Sequence, residues 1–251
     1  MRVILLAALI GSLMLAGCAG NDQRQRSDRK DSNREAARIN TELGSGYFRR
    51  GEYRLALQKL QRAITFDKSY SRAHSILAIV YENIGEPKKA ERHHKRAIRV
   101  AKDDPNAHNN YGAFLCKTGD YRKAVEHFEE AADSAFYETP GIALTNAGRC
   151  LMRIPDAEAA EGFLRRALEI RPRFPDALYA LAEIKYKQGQ FLQARAFLQR
   201  FESVSDHSAE SLLLGYRIES KLDSEREASE YERQLRRRFP KSESAAQLDP
   251  T

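Results

Sequence analysis

The sequence predicts an all-α protein in which six helix–turn–helix units stack into one α-solenoid. The pattern of residues 111–131 returns 34 residues earlier and again 34 residues before that. In each copy, glycine or proline separates two apolar runs, and the second run has helical spacing. The chain is also rich in Ala, Leu, Arg and Glu, which favour helices. A fixed period of this length indicates a repeat array, in which each unit buries its apolar face against the next.

Residues 1–17 have the features of a secretory signal. Arg2 is followed by an apolar run from 3 to 16 that is too short for a stable membrane span. The sequence Leu15-Ala16-Gly17-Cys18 resembles a bacterial lipobox, which implies cleavage before Cys18 and attachment of acyl chains such as palmitate. Ala19 rather than Asp then implies the outer membrane, with the protein body on its periplasmic face. The alternative is a signal that is neither cleaved nor lipidated.

A polar segment separates the leader from the repeats. Residues 21–33, NDQRQRSDRKDSN, contain no apolar side chain and cannot contribute to a core. We therefore expect residues 18–33 to form a lipidated cysteine followed by a solvated tether. The capping-box spacing of Ser32 and Glu35 predicts that a helix begins there.

The charges and motifs favour a protein-binding function. The net charge is +7, from 42 basic and 35 acidic residues that are interleaved along the helices. No basic stripe alternates with stacking aromatics, so nucleic acid is a poor candidate ligand. The sequence contains no His-x-x-x-His pair, phosphate loop or nucleophile motif. We therefore expect no enzymatic activity, no metal site, no small-molecule substrate and no cofactor beyond the covalent lipid at Cys18.

The repeats resemble the tetratricopeptide repeat. The first unit has Leu43-Gly44, Tyr47 and Gly51, and the equivalent positions recur in the later units. We expect units to begin near residues 37, 71, 105, 141, 175 and 208. Pro155 replaces the turn glycine of the fourth unit, and the second helix of the sixth is polar, as a terminal unit requires. The resemblance implies a right-handed α-solenoid of six tetratricopeptide-like helix–turn–helix repeats over residues 34–240. Residues 241–251 should form a flexible tail.

Two cysteines lie within the repeats, at positions 34 residues apart. Cys116 and Cys150 each fall in the apolar run that opens a unit. They are either two small buried core residues or, in an exported protein, a disulfide. The sequence leaves both possibilities open because it does not give the distance between their Cα atoms.

The resemblance places partner binding on the first helix of each unit, and two surfaces compete. One is an apolar groove in the first two units, formed by Phe48, Ile76 and Ile79. The other is a polar set that could grip a carboxylate. Its members are Asn109, Lys117, Arg149 and Arg153. We favour the apolar groove, because desolvated apolar anchors usually supply most of the binding energy.

A lipidated repeat array with a short polar tether is similar to the type IV pilus biogenesis and stability lipoproteins of the PilF/PilW type. The resemblance implies a pilotin, which brings the secretin PilQ to the outer membrane and helps it multimerise during pilus assembly and twitching motility. The alternative function is a periplasmic scaffold for outer-membrane protein insertion or for cell-wall machinery.

Overall fold

The computed structural model describes residues 2–248, and it describes the side chains of residues 25 and 27–248. Within this part of the chain the regular structure is entirely helical. The helices are α1 (Arg2–Arg49), α2 (Tyr53–Phe66), α3 (Ser71–Asn83), α4 (Pro87–Val100), α5 (Pro105–Thr118), α6 (Tyr121–Ala132), α7 (Pro140–Leu151), α8 (Ala157–Ile170), α9 (Pro175–Lys187), α10 (Phe191–Glu202), α11 (Ala209–Lys221), α12 (Glu225–Arg238) and α13 (Glu243–Ala246). The first twelve form six successive helix–turn–helix units, as the 34-residue period predicts. Among the residues whose side chains are described, 25 and 27–248, no helix has the length and apolar character needed to cross a membrane.

The unit boundaries follow the sequence closely, except at the first helix. α5 begins at Pro105, α9 begins at Pro175, and α11 begins after the N-cap Ser208. The helix expected to begin at Ser32–Glu35 does not begin there, because α1 is continuous from Arg2 to Arg49. Neither glycine nor proline occurs between residues 21 and 43, so no residue interrupts the helix. The polar segment is therefore helical, and its described side chains are largely exposed.

The turns inside the units depend on a left-handed backbone conformation. Gly51, Gly85, Gly119 and Gly189 have φ between 72° and 95° at the turns of units one, two, three and five. Side chains with a Cβ rarely adopt this region. In the sixth unit Asp223 takes the position at φ 53°, which a short polar side chain tolerates. In the fourth unit, which has Pro155 instead of glycine, α7 ends at Leu151 and the turn has no residue of positive φ.

Small residues bring the two helices of a unit into close contact, as their recurrence predicts. A Cβ built on Gly44 would lie 2.6 Å from Leu60 Cγ, and one on Gly112 would lie 2.9 Å from the Phe128 ring. Leu60 and Phe128 are fully buried. Large side chains of the second helix thus fill the space that glycine leaves on the first.

The chain divides into two compact units of structure, one up to Ala107 and one from His108 onward. In the second of these, α8, α9 and α10 enclose a continuous core around Leu164, Leu181 and Leu198, all fully buried. The first has the same internal pattern, since α1 packs against α2 and α3 packs against α4.

The C-terminal segment is ordered, contrary to the flexible tail expected from residue 241. Ser242 caps α13 by accepting a hydrogen bond from the Ala245 amide at 3.1 Å. Ala245 and Leu248 are buried against Leu212 and Leu213 of α11. α13 therefore covers part of the apolar surface that the polar helix α12 leaves uncovered on the last unit. Residues 249–251 lie outside the described part of the chain.

Candidate functional site

A cleft of about 610 Å³ lies in the structural unit that begins at His108. Its walls come from α5, α6, α7 and α9 and from the turn after α7. Four cations line the cleft: Lys117, Arg149, Arg153 and Lys187. One carboxylate, Glu183, lines it with them. The excess of positive charge suits an anionic ligand, and a concave, partly desolvated wall strengthens that attraction.

Glu183 is the partly desolvated group of the cleft. Burial raises the pKa of this carboxyl above its ordinary value, and the charges of Lys187 and Arg149 oppose that rise. Nearby, burial also raises the pKa of Tyr179, with a further rise from the charge of Glu183. The charges of Lys187 and Arg149 therefore stabilise the ionised form of Glu183, and an anionic ligand would compete with Glu183 for these two cations.

The structure brings the predicted polar set together in large part. Lys117, Arg149 and Arg153 all line the cleft and are exposed. Asn109 does not line it, but its Oδ1 accepts a hydrogen bond from Nδ2 of Asn146, which does, at 3.1 Å. Asn109 can thus orient the side-chain amide of Asn146 although Asn109 itself does not line the cleft. Whether these residues bind a partner stays a prediction.

The predicted apolar set lies in the other structural unit. Phe48 belongs to α1, Ile76 and Ile79 belong to α3, and these two helices contact each other. All three side chains are half-buried. The Phe48 ring packs on Tyr53, with the ring centroids 6.0 Å apart. Part of each apolar side chain is therefore used in packing, and the remainder is open to solvent.

A disulfide forms part of the cleft wall. Cys116 and Cys150 are bonded, their Cα atoms are 5.8 Å apart, and both line the cleft. The structure thus decides in favour of the disulfide over two separate core thiols. The disulfide joins α5 to α7, the first helices of neighbouring repeats. The bond fixes the two helices that carry Lys117 and Arg149, which limits how far the cleft can widen.

Two histidine pairs were missed in the sequence, because each joins two helices across a turn. The Nδ1 atoms of His74 and His93 are 3.1 Å apart, and those of His108 and His127 are 3.2 Å apart. His74 Nε2 donates to the Lys68 carbonyl at 3.1 Å, so in a neutral pair its Nδ1 accepts from His93. The second pair repeats the first at an offset of 34 residues, and that offset was the available signal.

Each histidine pair contributes to the packing between the two helices of a repeat. Burial, followed by the neighbouring histidine, lowers the pKa of both His93 and His127 to about 4. The rings of His93 and His127 are therefore neutral at pH 7. Among the described residues, no three His, Cys, Asp or Glu side chains come together as a metal site. The predicted lipidation residue, Cys18, has a side chain outside the described set.

Models of the tetratricopeptide repeat match residues 73–108, 103–173 and 155–202. The chain is 30% identical over 229 residues to the type IV pilus assembly protein PilF of Pseudomonas aeruginosa. That alignment covers 91% of this chain and 90% of the relative.

Two solved structures share the fold at closely similar length. The structure of Pseudomonas aeruginosa PilF gives a TM-score of 0.78 at 27% identity, covering 86% of this chain and 98% of that one. The structure of PilW, described as a widely conserved type IV pilus biogenesis factor, gives a TM-score of 0.78 at 32% identity. It covers 84% of this chain and 97% of that one. The chain therefore belongs to the PilF/PilW family of tetratricopeptide-repeat proteins of type IV pilus biogenesis.

Proposed function

We propose that this protein is a pilotin, a lipid-anchored scaffold that brings the secretin PilQ to the outer membrane and promotes its assembly into a ring. The observation that carries the proposal is the relation to PilF over nine-tenths of both chains. Repeat proteins of this kind usually act by holding other proteins rather than by catalysis. The secretin as client and the outer membrane as location are the steps that go beyond family membership.

The proposed anchor is the acylated Cys18. The apolar run from 3 to 16 and the lipobox-like Leu15-Ala16-Gly17-Cys18 support a lipoprotein signal. Several acyl chains on one residue give long-lived membrane attachment, whereas a single chain binds marginally. The acyl chains would direct the complex to the outer membrane. The repeats would bind PilQ until its ring inserts into that membrane.

The sequence favours the apolar groove, but Phe48 is partly used in packing on Tyr53, whereas three members of the polar set line one cleft. The proposed client site is therefore the cationic cleft, which would hold a carboxylate of the secretin. Lys117, Arg149 and Arg153 present charged donors from two adjacent repeats. Arginine can grip a carboxylate with two parallel hydrogen bonds, which gives both energy and orientation. The apolar residues Phe48 and Ile79 are the competing site, and the two sites make separate predictions.

Deletion of the gene tests the function directly. We expect loss of twitching motility, with PilQ left as monomers outside the outer membrane. Complementation with Cys18→Ser should restore neither behaviour, and this variant should not incorporate labelled palmitate. Normal pili after deletion would refute the pilotin role. Normal pili combined with defects in outer-membrane protein insertion or in the cell wall would favour the alternative scaffold.

Paired charge and apolar variants locate the site. Arg149→Glu with Arg153→Glu should weaken PilQ binding roughly tenfold or more, because charge-assisted hydrogen bonds are lost and repulsion replaces them. Phe48→Glu with Ile79→Glu tests the apolar surface in the same assay. Lys123→Glu with Arg226→Glu is the matched control, since both residues are exposed and neither lines the cleft. Unchanged affinity in the first variant would exclude the cleft.

A further inference from the structure

The positive charge of the chain is concentrated on two helices. α2 carries three cations and no acidic residue, and α4 carries six cations and one acidic residue. These 14-residue helices thus have net charges of +3 and +5, against +7 for the whole chain. The second helices of the other four repeats have net charges of −1, −1, +1 and +1. The second helices of repeats one and two therefore carry +8 together, and the rest of the chain sums to −1.

Most of these cations are exposed, whereas Lys59, Lys89 and Arg96 are half-buried. The buried positions Ala56, Leu60 and Ala63 of α2 recur 34 residues later in α4 as Ala90, His94 and Ala97. The cationic positions keep the same register, so that Arg54 corresponds to Lys88 and Arg62 to Arg96. We use the term basic face for the cationic side chains of α2 and α4. Its members are Arg54, Lys59, Arg62, Lys88, Lys89, Arg92, Lys95, Arg96 and Arg99.

The basic face is only partly neutralised by the protein itself. Lys95 pairs with Glu91 at 2.6 Å and Lys89 with Glu86 at 3.0 Å. Within the described side chains, Lys88, Arg92 and Arg99 form no salt bridge. Lys88 and Arg92 are also a like-charge pair four residues apart, which slightly destabilises a helix. An external anionic surface would remove this repulsion.

We propose that the basic face binds anionic phospholipid headgroups, so that the first two repeats rest against the membrane. An exposed row of cations, at helical spacing along α4, suits a flat array of charges better than a single ligand. The location also fits, since these repeats follow directly after the segment that carries Cys18. The argument from location rests on the proposed lipid anchor, whereas the argument from the charge distribution does not. An acyl chain together with a basic surface is a known route to stable membrane attachment.

A vesicle assay tests the proposal without the anchor. The protein is the processed chain from residue 18 carrying Cys18→Ser, so that no acyl chain contributes to binding. It is sedimented with vesicles of phosphatidylcholine alone or with about a third phosphatidylglycerol. We expect binding to the anionic vesicles only, and we expect it to weaken steeply between about 50 and 300 mM salt. Equal partition to both vesicles, or none to either, would overturn the proposal.

Matched variants separate the basic face from net charge. Lys88→Glu, Arg92→Glu and Arg99→Glu together should lower the partition coefficient about 100-fold, at roughly fivefold per cation. The control reverses three exposed cations elsewhere: Arg122→Glu, Arg226→Glu and Arg237→Glu. It should keep most of the binding, and circular dichroism checks that both variants fold. Equal losses in the two variants would show that only total charge matters, which contradicts the proposal.

The assay is independent of the pilotin proposal, because it uses neither the acyl chain nor PilQ. If the protein does not bind vesicles, this result does not contradict the proposed lipid anchor at Cys18 or the proposed binding of PilQ. Loss of PilQ binding in the Lys88, Arg92 and Arg99 variant, without any vesicle binding by the parent, would instead identify the basic face as a protein site. Normal vesicle binding together with normal pili after deletion would refute the pilotin role alone.

Discussion

Exchanging Gly148 for alanine tests the close contact between α7 and α8 in the fourth repeat. A Cβ at this position would lie 2.6 Å from Leu164 Cγ and 2.9 Å from the Ala160 carbonyl oxygen. Leu164 is fully buried, and the carbonyl belongs to the backbone, so neither can move aside cheaply. The two helices must separate by several tenths of an ångström, and overpacking of this kind costs about 1–3 kcal/mol.

The neighbouring glycine provides the matched control. Gly162 lies within α8, is exposed, and has nothing within 4 Å of the position of a Cβ. Alanine there should simply gain helix propensity, which stabilises the protein by about 0.8–1.0 kcal/mol. The same gain applies to Gly148→Ala but is outweighed, so we expect a net loss of up to about 2 kcal/mol.

Thermal denaturation followed by circular dichroism measures both variants. In a chain of this size, 1 kcal/mol corresponds to a shift of about 2–4 °C in Tm. Gly162→Ala should raise Tm by a few degrees, and Gly148→Ala should lower it by up to about 8 °C. Changes of the same sign in the two variants would refute the argument that Gly148 is required for helix approach.

Three further predictions concern the cross-link, the histidines and the C-terminus. Replacing Cys116 and Cys150 by alanine should lower the free energy of unfolding by about 3–4 kcal/mol, because a disulfide across 34 residues restricts the unfolded chain. Reduction of the parent protein that leaves its denaturation midpoint unchanged would contradict this. Because the folded pKa values of His93 and His127 are about 4, the unfolded chain binds more protons below about pH 6.5. Stability should therefore fall from that pH towards pH 4 and then level off, and His93→Gln with His127→Gln should flatten this dependence in denaturation curves. Leu248→Ser should lower Tm measurably, since Leu248 is buried against α11. A flexible tail would instead leave Tm unchanged.

Most of the fold was predictable because every repeat must meet the same local requirements for helix packing and for the turn. The spacing of Gly44, Gly51 and Leu60 indicates which residue leaves space, which makes the turn and which side chain fills the space. The fourth repeat shows that this is a set of physical requirements rather than a fixed sequence. Its helices pair as in the others, although Pro155 replaces the turn glycine and the turn uses different backbone angles.

The features that sequence reasoning missed depend on placement across helices. Lys117 and Arg149 were predicted from their positions in the repeats, but no spacing within one helix reveals that Lys187, from a third repeat, lines the cleft with them. Predicting the disulfide likewise requires the distance between α5 and α7, which the sequence does not give. The order of the C-terminal segment depends on an apolar edge that α12 leaves uncovered, which only the packed structure reveals. Exposed side chains are also less constrained than buried ones, so the client-binding residues remain the least predictable part of the molecule.

The disulfide also affects how the array opens. In a repeat protein each unit is stabilised mainly by its neighbours, so terminal units fray while central ones persist. A covalent bond between α5 and α7 makes the third and fourth repeats open together, because one cannot leave the other. The cleft is therefore built on the part of the protein that opens last. It can keep its shape while either end of the chain rearranges.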